Sequence, residues 1–178
     1  FLNHDFAKSL EVANMGLKKN PRHAAFNRLA MYNNTDLKRF EEALKAADVF
    51  FNECDKADYS YLDYMYYGHL LEELKKYDEA VGQYEKAVEL DPTKTDLYKN
   101  ISSAYEQKND YKKAIGAYHK YYSSLEKEKQ TPDLQFQLGR LYYGAGTQPD
   151  SLTINAEERK QALMSADSVF QVISEAAP

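Results

Sequence analysis

The chain has no tryptophan, one cysteine, and few chain breakers, with 7 glycines and 5 prolines in 178 residues. A lone Cys54 cannot close an intrachain disulfide, so the fold is held without one and either redox compartment is open to it. Sparse Gly and Pro argue against long low-complexity linkers. No apolar run approaches the roughly 18 residues of a membrane span. The net charge is −5 with no basic block, which argues against nucleic acid as a partner. Neither an initiator methionine nor a signal-peptide pattern opens the sequence at Phe1.

Catalytic signatures are also missing. There is no Gly-rich phosphate loop. The histidines, His4, His23, His69 and His119, are scattered along the chain. Cys54 has no histidine near it to activate a thiolate. His69, Glu72 and Glu73 have a metal-compatible i, i+3, i+4 spacing, but such a trio on a helix is ordinarily a polar face. The sequence therefore predicts no catalytic residues, no metal and no cofactor; a non-enzyme is expected. The triplets beginning at Asn33 and Asn100 match the glycosylation sequon, the second inside an expected helix.

What the chain has in abundance is tyrosine, 16 residues, arranged with a period. Tyr64 recurs as Tyr98, Tyr77 as Tyr111, and Tyr84 as Tyr118, always after the same step along the chain. The small residues recur in step, Gly68 as Ser102 and Ala80 as Ala114. A fixed period of this length marks stacked supersecondary units. Such arrays present binding surfaces along their length.

Within one unit, Tyr64, Tyr67, Gly68 and Leu71 fall at i, i+3, i+4, i+7, a single stripe on a helix. Lys75 and Lys76 are expected to close its last turn, favourable to the helix dipole. Asp78 and Glu79 open a second helix whose buried stripe is Ala80, Tyr84, Ala87 and Val88. Asp91-Pro92 ends that helix, because proline disfavours helical geometry before it. Gly68 and Ala80 are expected where the two helices cross, with Tyr84 filling the space beside them.

Upstream, Phe40, Ala43, Ala47 and Phe50 form a second helix, and Phe6, Ser9, Ala13 and Gly16 its twin. The first helix at about 24–36 is degenerate, with Asn27, Met31 and Asn34 at stripe positions. A short insertion falls near Ala57–Ser60. In the last unit, Leu138, Gly139 and Tyr142 repeat the first helix, and Ala166, Phe170 and Ile173 the second. Gly139 stands more than twice as far from Ala166 as Gly68 does from Ala80, so this unit carries an insertion. Residues 144–151 read as a turn or loop. Asn155 with Glu158 reads as a helix N-cap with its capping-box acid, opening a helix over about 156–175.

These residues resemble the tetratricopeptide repeat (TPR) family. Its pattern W-x2-L-G-x2-Y, A-x3-F, P stands here as Tyr64-x2-Tyr67-Gly68-x2-Leu71, Ala80-x3-Tyr84 and Pro92. The resemblance implies an all-α, right-handed α-solenoid of stacked antiparallel helix pairs. It divides the chain into a half repeat at 1–23 and repeats at about 24–60, 61–94, 95–128 and 132–178, the last with an insertion at about 144–158. The Tyr-rich style resembles envelope-directed TPR proteins of Bacteroidetes-type bacteria, which favours a periplasmic or envelope location. Terminal repeats normally carry polar caps; neither end shows one, so a fragment of a longer array is expected.

The family's fold implies that first helices line a concave groove that holds a peptide or partner helix. By helical phase the groove residues are Arg28 and Tyr32; Met65, His69, Glu72 and Glu73; Lys99, Ser103 and Glu106; Phe136, Arg140 and Tyr143; Asn100, at a clamp position of the family, is grouped with them. With Asp36, Asp96 and Asp133 on the same faces, three positive and six negative side chains give a net of −3. An acidic groove interrupted by apolar residues suits a basic, amphipathic peptide. The C-terminal-carboxylate clamp of some TPR proteins is matched only at Asn100 and Arg140, too little positive charge for that mode. A protein or peptide partner is expected, with self-association through the end repeats, or a helical accessory role in a larger enzyme or assembly, as alternatives.

Overall fold

The computed structural model describes residues 5–54, 58–148 and 154–176. Phe1, His4 and Ala57, named above, lie outside the described residues, as do 149–153 of the insertion. The chain divides into two compact units, Phe1–Pro92 and Thr93–Pro178.

The first unit contains α1 (Phe6–Lys19), α2 (Ala24–Asp36), α3 (Phe40–Asn52), α4 (Tyr61–Glu73) and α5 (Tyr77–Leu90). Helix α2 pairs with α3 and α4 with α5, while α1 packs on α2, and α4 on α2 and α3. The core gathers Leu10, Ala30, Met31, Ala43, Ala47, Phe50 and Leu70. The degenerate stripe of α2 is buried all the same. Asn27 is 3% exposed and its amide donates to the carbonyls of Pro21 and His23. Buried amides survive in an apolar setting when their donors are used in this way.

The second unit contains α6 (Leu97–Gln107), α7 (Tyr111–Ser124), a 3-10 turn at Lys127–Lys129, α8 (Pro132–Thr147) and α9 (Ala156–Ala176). Helix α6 pairs with α7 and α8 with α9, and α7 packs on α8. Ala114, Tyr118, Leu138 and Leu141 form one core cluster; Ala145, Ile154 and Ala162 form another. Both units are all-α, built from the antiparallel helix pairs that the period predicts.

The small residues permit close approach of the helices. A Cβ at Gly68 would lie 2.8 Å from the ring of Tyr84, and one at Gly139 would lie 2.6 Å from Phe170. The partner of Gly68 is thus a ring from the second helix, with Ala80 buried alongside. At the equivalent place Ser102 keeps its hydroxyl bonded to the Ala114 carbonyl, 2.8 Å away.

Residues 144–147 are helical rather than the expected turn. They continue α8 as helix to Thr147, although Gly144 and Gly146 suggested a turn. Here the glycines serve packing: a side chain at Gly144 would collide with Tyr111, and one at Gly146 with Leu163. The N-cap at Asn155 is reciprocal, with Asn155 N–H donating to Glu158 and Glu158 N–H donating to Asn155, both at 2.9 Å. Glu158 is thereby held below the usual carboxylate range, chiefly by the Asn155 backbone bond and then by Lys112. Helix α9 spans about 32 Å at 1.5 Å per residue.

The turns joining first to second helices repeat as well. Lys38, Lys75 and Asn109 have φ of 57°, 59° and 60°. Each lies two residues beyond a first helix, in the left-handed conformation that commonly closes a helix C-terminus. Lys75 therefore lies past α4 in the turn, not within its last turn as the sequence suggested.

Candidate functional site

In the first unit the face in question comes from α2 and α4, which lie side by side. Arg28 and Tyr32, four residues apart on α2, share a face. Both reach Asp63 near the start of α4. Arg28 donates from Nε to Oδ1 at 2.7 Å and from Nη2 to Oδ2 at 3.0 Å, and Tyr32 donates to Oδ1 at 2.6 Å. The Ser60 N–H and hydroxyl donate to Oδ2 at 2.7 and 3.1 Å. Asp63 is 0% exposed, and this set of donors offsets the cost of burying its charge. Burial, then the bond to Asp63, pushes the Tyr32 phenol well above its ordinary range.

Tyr32 also stacks on Tyr66 of α4, with ring centroids 4.1 Å apart and planes at 17°. Tyr66 in turn donates to Asp36 at 3.4 Å. Glu72 is half-buried and accepts the Tyr84 hydroxyl at 2.9 Å. His69 and Glu73 are exposed and Met65 is half-buried. Of the sequence-derived residues in this unit, Arg28 and Tyr32 are engaged by Asp63, and His69 and Glu73 project into solvent.

In the second unit the corresponding face comes from α6 and α8. Arg140 on α8 donates to Glu106 on α6 at 2.6 Å. Lys99 is exposed and Asn100 and Ser103 are half-buried. Phe136 and Tyr143, 48% and 56% exposed, are apolar surface on α8. A cavity of about 270 Å³ opens here, lined by Lys99, Ser102, Ser103, Glu106, Tyr118, Gln137 and Leu141. Tyr118 is buried and donates to the Leu134 carbonyl at 3.0 Å. Burial, with Tyr121 and Tyr122 adjacent, pushes its phenol up to about 12.

Asp63 and Gln137 belong to the site although the repeat pattern alone does not pick them out. Ser60 and Asp63 carry a capping-box spacing that signals the first. Gln137 follows Tyr66 by the same step that separates Gly139 from Gly68, a signal visible only once two repeats are aligned. Among the described residues no group of three or more His, Cys, Asp or Glu is placed to hold a metal ion. No described helix is long and apolar enough to cross a membrane. Both sequons are packed into the fold: Asn33, Thr35 and Ser102 are buried, and Asn33 donates to Ser9 at 2.8 Å.

Residues 68–109 match the family model for the TPR repeat. Solved structures share the fold over nearly the whole chain. The C-terminal part of a TPR repeat-containing protein from Cytophaga hutchinsonii is 23% identical with a TM-score of 0.71 over 98% of this chain, which spans 60% of the length of that one. MamA is 17% identical with a TM-score of 0.68, over 98% of this chain and 99% of that one. A MamA structure from Desulfovibrio magneticus is 14% identical with a TM-score of 0.65, over 98% and 89%. No curated protein matches the chain in sequence. At these identities the likeness shows the fold: the chain resembles the TPR family and is an all-α solenoid of its type.

Proposed function

We propose that this TPR-type chain is a non-catalytic scaffold that holds a protein segment against its first-helix faces. TPR repeats generally mediate protein–protein interaction, and their fold typically serves as scaffold. The observation that carries the reading is the open α6–α8 face. Its cavity lies among Lys99, Ser103 and Glu106, with exposed Phe136 and Tyr143 on the same helix as the cavity's Gln137 wall. Polar groups that fix orientation beside apolar area are what a peptide site requires. The partner favoured by the acidic balance of these faces is a basic, amphipathic segment.

The residues assigned to binding are Arg28, Tyr32, Met65, His69, Glu72 and Glu73 in the first unit, Arg28 and Tyr32 being also bonded to Asp63. In the second they are Lys99, Asn100, Ser103, Glu106, Phe136, Arg140 and Tyr143. Glu72 and Glu106 have partners within the fold, so exposed Glu73 is the cleaner probe of charge. The test captures the partner from the native host on the full chain. Glu73→Lys is expected to weaken capture, and Glu85→Lys on exposed α5 surface to leave it unchanged. Equal capture by both variants overturns the assignment of the face.

A second reading is self-association through α1 and α9, favoured by exposed Val12 and Met15 on the one and Met164 and Val172 on the other. Light scattering decides it: a monomer at every concentration removes this reading.

A further inference from the structure

The two units place different side chains at the same repeat positions, and the difference opens a cavity in one of them. Gly68 and Gly139 each lie against a ring of the following helix. The step between them equals the step between the left-handed turn residues Lys38 and Asn109. In this register α2 corresponds to α6 and α4 to α8. Tyr32 corresponds to Ser103, Tyr66 to Gln137, Arg28 to Lys99, and Asp63 to Leu134.

In the first unit the space between the paired first helices is filled by the stacked rings of Tyr32 and Tyr66. In the second, a serine and a glutamine stand at those positions and both line the cavity, together with Lys99, Ser102, Glu106, Tyr118 and Leu141. Its volume of about 270 Å³ falls just below the roughly 300 Å³ low end of small-molecule sites. That suits one side chain better than a whole ligand. The cation persists while its acid does not: Lys99 stands where Arg28 does, and Leu134 stands where Asp63 does. Elsewhere in this unit lysines lie over tyrosine rings, Lys113 over Tyr105 and Lys120 over Tyr98, each at 5.2 Å.

We propose that the α6–α8 cavity is an anchor pocket for one aromatic side chain, tyrosine or phenylalanine, of a protein partner. The ring enters between Ser103 and Gln137, packs on Leu141, and meets the Lys99 ammonium over its face. The chain thereby takes from its partner the aromatic group that its first unit supplies to itself. This rests on the reading of the first-helix face as the binding face.

The test uses the full chain, isotopically labelled for NMR, with N-acetyltyrosinamide as probe and N-acetylalaninamide as its control. The tyrosine amide is expected to give saturable shifts at the amides of Ser103, Gln137 and Leu141, and the alanine amide none. The variant S103Y/Q137Y restores the tyrosine pair and is expected to weaken the probe at least about tenfold, as loss of an anchor contact does. Gln137→Tyr alone is read in parallel, so the outcome does not depend on the double variant folding. Absence of a saturable shift, equal response to the alanine amide, or undiminished affinity in the filled variants overturns the pocket. A failed pocket with capture still sensitive to Glu73→Lys leaves the binding face standing; loss of both rejects the face as well.

Discussion

Arg28 holds Asp63 through both carboxylate oxygens, at 2.7 and 3.0 Å, across 35 residues of sequence. The carboxylate is fully buried while the Arg28 side chain remains 31% exposed. The bridge ties α2 to α4, and Asp63 at the same time caps α4 through Ser60.

Breaking this bridge from either side is expected to be costly. Arg28→Met strands a buried carboxylate, and Asp63→Ala strands Tyr32 and removes the cap. Each is expected to destabilise by about 3 kcal/mol, the scale for removing one partner of a buried pair. Urea unfolding checks this; a loss below about 1 kcal/mol in both variants would show that the bridge is dispensable.

The glycines divide into two kinds with opposite outcomes. Gly68→Val forces a side chain against the Tyr84 ring and is expected to cost about 1–3 kcal/mol through overpacking. Gly82 and Gly116 have nothing within 4 Å of an added Cβ and lie inside helices. Gly82→Ala and Gly116→Ala are each expected to stabilise by up to about 1 kcal/mol. Thermal melts of the three variants give the comparison.

Alkaline pH is expected to destabilise the fold through its tyrosines. Burial raises Tyr118 from 10.0 to about 12, and Tyr32, Tyr64, Tyr66, Tyr67 and Tyr142 shift in the same direction. A phenol with a raised folded pKa keeps its proton longer in the folded chain than in the unfolded one. Its contribution is fully present below pH 10.0 and, for Tyr118, is lost as pH rises towards about 12. Urea midpoints across this range should fall with pH, and Tyr118→Phe should flatten the fall.

The ion pair between Glu106 and Arg140 is short but half open to water. A double-mutant cycle is expected to give a coupling of about 0.2–1 kcal/mol, as for exposed pairs. Held this weakly, both charges remain available to a partner. A coupling above about 3 kcal/mol would mark the pair as structural.

Much of the fold was legible because packing repeats. Tyr84, Ala80 and Gly68 carry the period, and each is buried where the period places it. The extension of α8 was not legible, since glycine at 144 and 146 has the same letter whether it makes a turn or admits Tyr111 and Leu163. The candidate site was legible only as a face. Helical phase put Arg28 and Tyr32 on it, but their capture by Asp63 depends on how α2 and α4 lie together. The cavity beside Ser103 was invisible for a related reason: it is defined by rings present in one unit and absent from the other.

The scaffold proposal requires a protein segment on the first-helix faces. Site-specific photo-crosslinking in the native host tests it most directly, with p-benzoylphenylalanine placed at Glu73, Ser103 or Glu85 in turn. Crosslinks to one shared protein partner are expected from positions 73 and 103 and none from 85. Crosslinks from 85 alone, or from none of the three, would contradict it.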